Sequence, residues 1–346
     1  MNAPTPSPDA AIDGERDWKI FTGGAPHDGL TTLPPPPPWR FAHALAPLAP
    51  PAADLAGSES EARRARPFIV SDPMRIAVNA ALYLRRPLLL TGRPGTGKST
   101  LIAKVAHELR LGAVLRWPIN SRSTVRSGVY EYDAVGRLQA GRNEPPVEQY
   151  LKLGPLGTAL VASDWPRALL IDEIDKSDLD FANDLLNVIE EGEYEIPELR
   201  RLGKGDEPIP VTDFEGNTVP IVGGRLQCRQ FPFVMMTSNA EREFPAPFLR
   251  RCVRLEIEPP EPDELLRIVE SHLAEHAGVL DPAEIKELVD RFDSDQRENQ
   301  DVATDQLLNA VFLTVAMKNL QKRRFNKEEL LAVREQLMRP LSGQGT

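Results

Sequence analysis

The sequence predicts an α/β protein: a parallel five-stranded sheet sandwiched by helices, with a small all-helical domain after it and an unstructured tail before it. Three observations carry this. Short β-rich runs alternate with helical patterns from residue 67 to residue 260, as in a sheet covered on both faces. The glycine-rich octapeptide Gly92-Arg93-Pro94-Gly95-Thr96-Gly97-Lys98-Ser99 lies between an apolar run and a helical pattern. From residue 261 onward the pattern is helical only.

The elements follow in order. Residues 1–66 are rich in Pro, Ala, Gly and Asp, show neither strand nor helix periodicity, and are expected to be disordered or extended. Two aromatic islands interrupt them, Trp18-Lys19-Ile20-Phe21 and Trp39-Arg40-Phe41, the second directly after five stiff prolines at 34–38. Bulky groups on a rigid spacer suggest docking, on the chain's own surface or on a partner. The expected strands are 87–91, 113–119, 168–171, 231–237 and 253–257. Leu101, Ile102, Val105 and Leu109 mark the helix after the octapeptide. Between the second and third strands, Ser127 to Asp133 followed by Gly136-Arg137-Leu138 reads as a small hairpin. A further hairpin is expected over 211–225, with turns at Glu215-Gly216-Asn217 and Gly223-Gly224. In the helical domain, 261–340, Glu261-Pro262 and Asp281-Pro282 place a capping acid before a first-turn proline, and Asn326 with Glu329 has capping-box spacing. Leu265, Leu266, Val269 and Leu273 form one apolar stripe, Leu307, Leu308, Val311 and Val315 another. A short tail, 341–346, ends the chain.

Composition narrows the function. Hydrophobic residues at 41% and charged residues at 27% suit a globular core, while 33 prolines exceed the usual share and fit an unfolded tail. The net charge of −10 argues against a nucleic-acid or anionic-lipid partner held by bulk electrostatics. No apolar stretch reaches membrane-spanning length and no signal peptide pattern opens the chain, so a cytoplasmic location without membrane insertion is expected. Cys228 and Cys252, in unlike contexts, read as reduced thiols.

The octapeptide is a complete P-loop, G-x-x-x-x-G-K-[ST], in the strand-to-helix setting the motif needs. Its glycines let backbone N–H groups wrap phosphates at a helix N-terminus, where orphan donors and the dipole favour negative charge. ATP is the expected ligand, held by Gly92, Pro94, Gly95, Thr96, Gly97, Lys98, Ser99 and Thr100. Lys98 would meet the β- and γ-phosphates and the Ser99 hydroxyl would bind Mg2+. The run Arg167-Ala168-Leu169-Leu170-Ile171 ends in Asp172 and Glu173. An acid at this strand end holds the metal shell in P-loop enzymes, which assigns Asp172 to Mg2+, and Glu173 is placed to polarise a water. No N-K-x-D guanine element follows, since Asn326-Lys327-Glu328-Glu329 lacks the aspartate. His272, Glu275 and His276 match an H-x-x-E-H zinc spacing but are set aside as a solvated helix face.

The order of P-loop strand, acid-pair strand and a third strand ending at Asn239 resembles the AAA+ ATPases, in which a polar residue there, sensor 1, orients the attacking water. The resemblance implies that role for Asn239. Pro245-Ala246-Pro247-Phe248-Leu249-Arg250-Arg251-Cys252 resembles the arginine-finger segment, in which an arginine reaches a neighbouring subunit's γ-phosphate. Arg251 aligns better than Arg250, with the choice left open. The segment 127–138 and the string Gly154-Pro155-Leu156-Gly157 are similar to the MoxR branch of that family, over about residues 67–340. The MoxR resemblance implies an ATPase, Mg2+-dependent, assembled as a ring of six, that remodels or activates a partner protein. It also implies a companion carrying a von Willebrand factor A domain. One departure stands out: Ala303-Thr304-Asp305-Gln306-Leu307 offers no sensor 2 arginine, so either Gln306 substitutes or hydrolysis is slow. That departure and the tail keep a second expectation open, an ATP-gated assembly switch or scaffold in a signalling or defence system, with little turnover.

Overall fold

The computed structural model describes residues 18–41, 45, 47–49, 59–140, 146–273, 282–297, 302–319, 332–333 and 337. Its central sheet contains β1 (Leu88–Gly92), β2 (Leu115–Pro118), β5 (Ala168–Asp172), β10 (Phe233–Ser238) and β11 (Val253–Ile257). All pairings are parallel and the strand order is β11-β1-β10-β5-β2. These are the five strands the sequence predicts. Alternation along the inner strands β1, β5 and β10 divides their side chains between two cores. Leu89, Leu169, Ile171, Val234 and Met236 join one, and Leu88, Leu90, Leu170, Phe233 and Met235 join the other. With apolar groups on both faces these inner strands must be covered on both sides, which is why they read as apolar runs, whereas the edge strands β11 (Val-Arg-Leu-Glu-Ile) and β2 (Leu-Arg-Trp-Pro) alternate.

The first core is roofed by α6 (Pro155–Ala159), α7 (Leu179–Glu191) and a second sheet. That sheet holds β3 (Tyr130–Tyr132), β4 (Leu151–Leu153), β6 (Glu193–Glu195), β7 (Pro208–Thr212), β8 (Thr218–Val222) and β9 (Arg225–Gln227), in the order β3-β4-β7-β8-β9-β6. The expected hairpin over 211–225 is β7-β8-β9, antiparallel, with Gly216 at φ 91° and Gly223 and Gly224 at φ 60° and 70° supplying its turns. The small hairpin expected over 127–138 is not there. Those residues form α4 (Val125–Val129), β3 and α5 (Ala134–Ala140), and β3 pairs instead with β4. Local caps decide this: Thr124 and Ser127 close a capping box on α4, and Asp133 Oδ1 accepts the Gly136 N–H at 2.7 Å in the first turn of α5. Two further short helices, α8 (Pro197–Arg200) and α9 (Ala246–Leu249), complete this side.

The second core is covered by α2 (Asp72–Leu84), α3 (Lys98–Glu108) and part of the N-terminal segment. Residues 18–41, expected to lack regular structure, run as an irregular strap with a single 3-10 turn at Gly29–Thr32. Ile20, Phe21 and Leu30 are buried. Asn79, fully buried on α2, holds the strap: its Oδ1 accepts from the Ile20 and Phe21 N–H at 2.7 and 3.0 Å, and its Nδ2 donates to Phe21 O at 2.8 Å. Glu108 Oε1 accepts from the Thr22 N–H and hydroxyl at 2.6 and 2.9 Å. The same stretch also contains a helix the sequence did not announce, α1 (Glu59–Ala65), packed on α3, with Glu61 paired to Arg116 at 3.1 Å.

The C-terminal helices α10 (Pro262–His272), α11 (Pro282–Arg297) and α12 (Thr304–Asn319) share a core of their own, including Leu265, Val269, Val289, Phe292, Leu307 and Val311. Pro262 follows the N-cap Glu261, as its sequence signal predicts. Glu275, His276 and the Asn326–Glu329 pattern lie outside the described residues. Among the described residues no helix is long and apolar enough to cross a membrane.

Candidate functional site

Parallel register brings the carboxyl ends of β1, β5 and β10 together. Leu90 lies beside Thr237 and Met236 beside Ile171, so the residues that follow each strand share one edge. The P-loop leaves β1 at Gly92 (φ 148°), where an added Cβ would sit 2.4 Å from Ile257 O. Gly97, in the left-handed region at φ 80°, is the N-cap of α3. Gly97 O accepts the Thr100 N–H at 2.9 Å, and the Lys98 and Ser99 N–H groups before it open the helix N-terminus. Lys98, 7% exposed, reaches back so that its Nζ donates to Gly92 O at 2.7 Å, Arg93 O at 2.8 Å and Asn239 Oδ1 at 2.9 Å. Burial pulls the Lys98 ammonium below the ordinary lysine range, and the charges of Asp175, Asp172 and Glu173 oppose that shift.

Ser99 Oγ donates to Asp172 Oδ1 at 2.8 Å. The Thr237 hydroxyl donates to the same Asp172 oxygen and accepts the Glu173 N–H at 2.9 Å. Glu173 itself stands in the left-handed region, φ 59° and ψ 48°, a strained state for a side-chain-bearing residue and one that collects at functional sites. This turn aims its carboxylate away from the strand, where Lys176 Nζ meets Oε2 at 2.6 Å. The site thus offers an ammonium, a helix N-terminus and a hydroxyl–carboxylate pair of hard oxygens. That donor set fits a magnesium-bound polyphosphate, with Ser99 and Asp172 as the metal's protein ligands. A cleft of about 520 Å3 opens beside the P-loop, lined by Phe68, Met74, Thr100, Ile257, His272 and Leu308 among others. It has the size and apolar walls a nucleoside needs.

Residues 87–252 match the family described as the AAA domain, dynein-related subfamily. This segment, just under half of the chain, is similar to an AAA domain. No curated protein matches the sequence. Solved structures that resemble it include two single-substitution variants of RuvB from Thermotoga maritima. One is 18% identical with a TM-score of 0.46, covering 78% of this chain and 70% of that one. The other is 16% identical with a TM-score of 0.41, covering 75% of this chain and 65% of that one.

Within the matched segment the structure forms two bonded sets at the same sheet edge: Lys98 with Asn239, and Ser99 with Asp172, to which Glu173 is joined through Thr237. Arg93, Pro94 and Gly95 form the exposed crest of the loop, and half-buried Thr96 donates from Oγ1 to Arg93 O at 2.9 Å. Arg250 and Arg251 are bonded elsewhere. Arg251 Nε meets Glu190 Oε1 of α7 at 2.9 Å, and Arg250 O accepts from Arg86 Nη1 at 2.8 Å. At the start of α12, Ala303 abuts the P-loop: a Cβ added to Gly95 would lie 2.3 Å from the Ala303 Cβ. Asp305 lines the cleft. Gln306 is turned to capping, with Oε1 accepting the Ala303 N–H at 2.8 Å and Nε2 donating to Leu337 O at 3.1 Å.

Two residues escape the sequence reading. Thr237 is the hinge between Asp172 and Glu173, and Asp175 fixes the Asn239 turn. Asp175, 4% exposed, accepts the Asn239 and Glu241 N–H groups on Oδ2 at 3.0 and 3.2 Å, while its buried Oδ1 meets no donor among the described residues. The available signal was position: Asp175 follows Asp172 by three residues, and Thr237 on β10 stands two residues before Asn239.

Proposed function

We propose that this AAA-like segment binds and hydrolyses ATP with Mg2+, and that the chain works as a MoxR-like ring, of six subunits, that remodels or activates a partner protein. The observation that carries the chemical part is the pair of bonded sets at one sheet edge, Lys98 with Asn239 and Ser99 with Asp172, Thr237 and Glu173. In this reading Lys98 and the α3 N-terminus hold the phosphates, and Ser99 and Asp172 hold the metal. Bound Mg2+ supplies neutralisation of phosphate charge. Glu173 takes a proton from the attacking water, and Asn239, fixed by Asp175, orients that water. Arg251, or Arg250, reaches a neighbouring subunit's nucleotide. A companion with a von Willebrand factor A domain belongs to the same proposal.

Purified protein assayed for phosphate release with and without Mg2+ tests it. Glu173→Gln is expected to abolish turnover while nucleotide binding persists; a parent protein that releases no phosphate at any concentration refutes the enzyme.

A second reading has its own support. Ala303 to Gln306 offer the nucleotide no cation, and Asp305 adds an acid to the cleft. An ATP-gated scaffold with little turnover would tolerate that. Oligomer size that follows bound nucleotide, with negligible phosphate release, would favour this scaffold.

A further inference from the structure

The strap ends in an unusual arrangement. Trp39 is 78% exposed, whereas the residues after it are pinned. Arg40 Nε donates to Arg85 O at 2.9 Å, and its Nη1 and Nη2 donate to Glu190 O and Ile189 O at 3.2 and 3.4 Å, at the end of α7. Its guanidinium also lies over the Phe41 and Phe231 rings, 4.9 and 5.2 Å from their centroids. The Arg40 N–H closes a turn on Pro37 O at 2.9 Å, and Arg85 Nη2 donates to Pro34 O at 2.7 Å. The indole is therefore presented from a fixed backbone. A large apolar group on a fixed backbone has little backbone entropy left to lose on contact.

Charge says what it meets. The Glu190 whose carbonyl receives Arg40 uses its carboxylate on Arg251, and Arg86 donates to Arg250 O. Arg40, Arg86, Arg250 and Arg251 thus gather at the start of β11, a basic island on a chain of net charge −10. At the other end of β11 the cleft rim carries Glu258, Glu261, Glu264 and Asp305. Five strand residues separate the two patches, about 17 Å at the usual rise per residue, well beyond ion-pair reach. Each patch can be matched on another molecule of the same chain, head to tail.

We propose that strap residues 34–41 belong to an assembly face: Trp39 is its apolar anchor, and this basic end docks on the acidic cleft rim of a second copy of the chain. The inference rests on the ring reading above and adds the strap and the rim to it.

The test is sedimentation velocity in Mg-ATP, in the Glu173→Gln background, across protein concentrations and at low and high salt. Trp39→Ala is expected to raise the concentration for half-assembly about tenfold, as for a buried interface tryptophan. Trp39→Asp should raise it further and Trp39→Tyr should restore most of it. Glu258→Arg combined with Glu261→Arg should weaken assembly comparably and flatten its salt dependence. Thermal melts report folding, which a side chain so exposed leaves in place. If the parent assembles and the Trp39 variants do so at the same concentration, the inference is overturned and the ring stands. If Trp39 matters but the rim reversal does not, docking on the rim is overturned. A parent that stays monomeric at every concentration overturns both.

Discussion

Thr237→Val tests the hinge of the site with the least change of shape. The hydroxyl it removes donates to Asp172 Oδ1 and accepts the Glu173 N–H at 2.9 Å. Thr237 is 1% exposed, so solvent cannot replace it. A hydrogen bond to a charged group contributes about 1.5–3 kcal/mol, and an unmatched buried N–H costs about 1–3 kcal/mol. The first term bears on the orientation of Asp172 and the second on the strained turn that aims Glu173. If only one of them is expressed in the transition state, at about 1.4 kcal/mol per decade, kcat falls roughly 10- to 100-fold. KM for ATP should change little, because Lys98 and the P-loop keep their own partners. Steady-state phosphate release over an Mg2+ titration gives both constants, and Thr237→Ser should recover most of the rate. A Thr237→Val protein with native melting and kcat within about twofold of the parent would refute the hinge.

Two further outcomes follow from the fold. Asn79→Ala strips the strap of three hydrogen bonds, those of the Ile20 N–H, the Phe21 N–H and Phe21 O. It should lower unfolding free energy by about 2–4 kcal/mol, up to the point where the strap lifts off whole; hydrogen exchange at Ile20 and Phe21 as slow as in the parent would contradict this. Cys228 and Cys252 are buried, and burial pushes both thiols up to about 12. They should resist a thiol reagent at neutral pH until the chain is denatured. In the unfolded chain they ionise near pH 8.5, so stability should decline as pH rises from there toward 12.

Much of this was legible in the sequence, for local reasons. The inner strands β1, β5 and β10 carry enough consecutive apolar residues to fill both cores, and the P-loop and acid pair each occupy one stretch of chain. What escaped depends on register between distant segments. Thr237 meets Asp172 and Glu173 only because β10 lies beside β5, and nothing near Thr237 in the sequence announces that neighbour. The second sheet is built partly from three-residue strands such as Glu-Tyr-Glu at 193–195, too short and polar to show a period; β6 finds its partner at β9, far along the chain. Gly136 was misread as a turn because a helix-starting cap at Asp133 and a hairpin turn use the same residue types. The strap did leave a trace. Asn79 stands alone as a polar residue on the buried face of α2, among Met74, Val78 and Leu82, and a buried amide in that setting needs backbone partners from elsewhere.

The meeting of Gly95 and Ala303 gives α12 a mechanical meaning. With one methyl group as the spacer, the crest of the phosphate loop and the foot of α12 lie in contact, and a tilt of the helix would pivot there. Sixteen residues of helix make an arm of about 24 Å, so a tilt of about 10° at that contact would sweep its tip through about 4 Å. A displacement of ångström size at the glycine is thereby magnified at the rim of the molecule. A bulkier side chain at position 303 would prop the helix away from the loop, whatever nucleotide the loop holds.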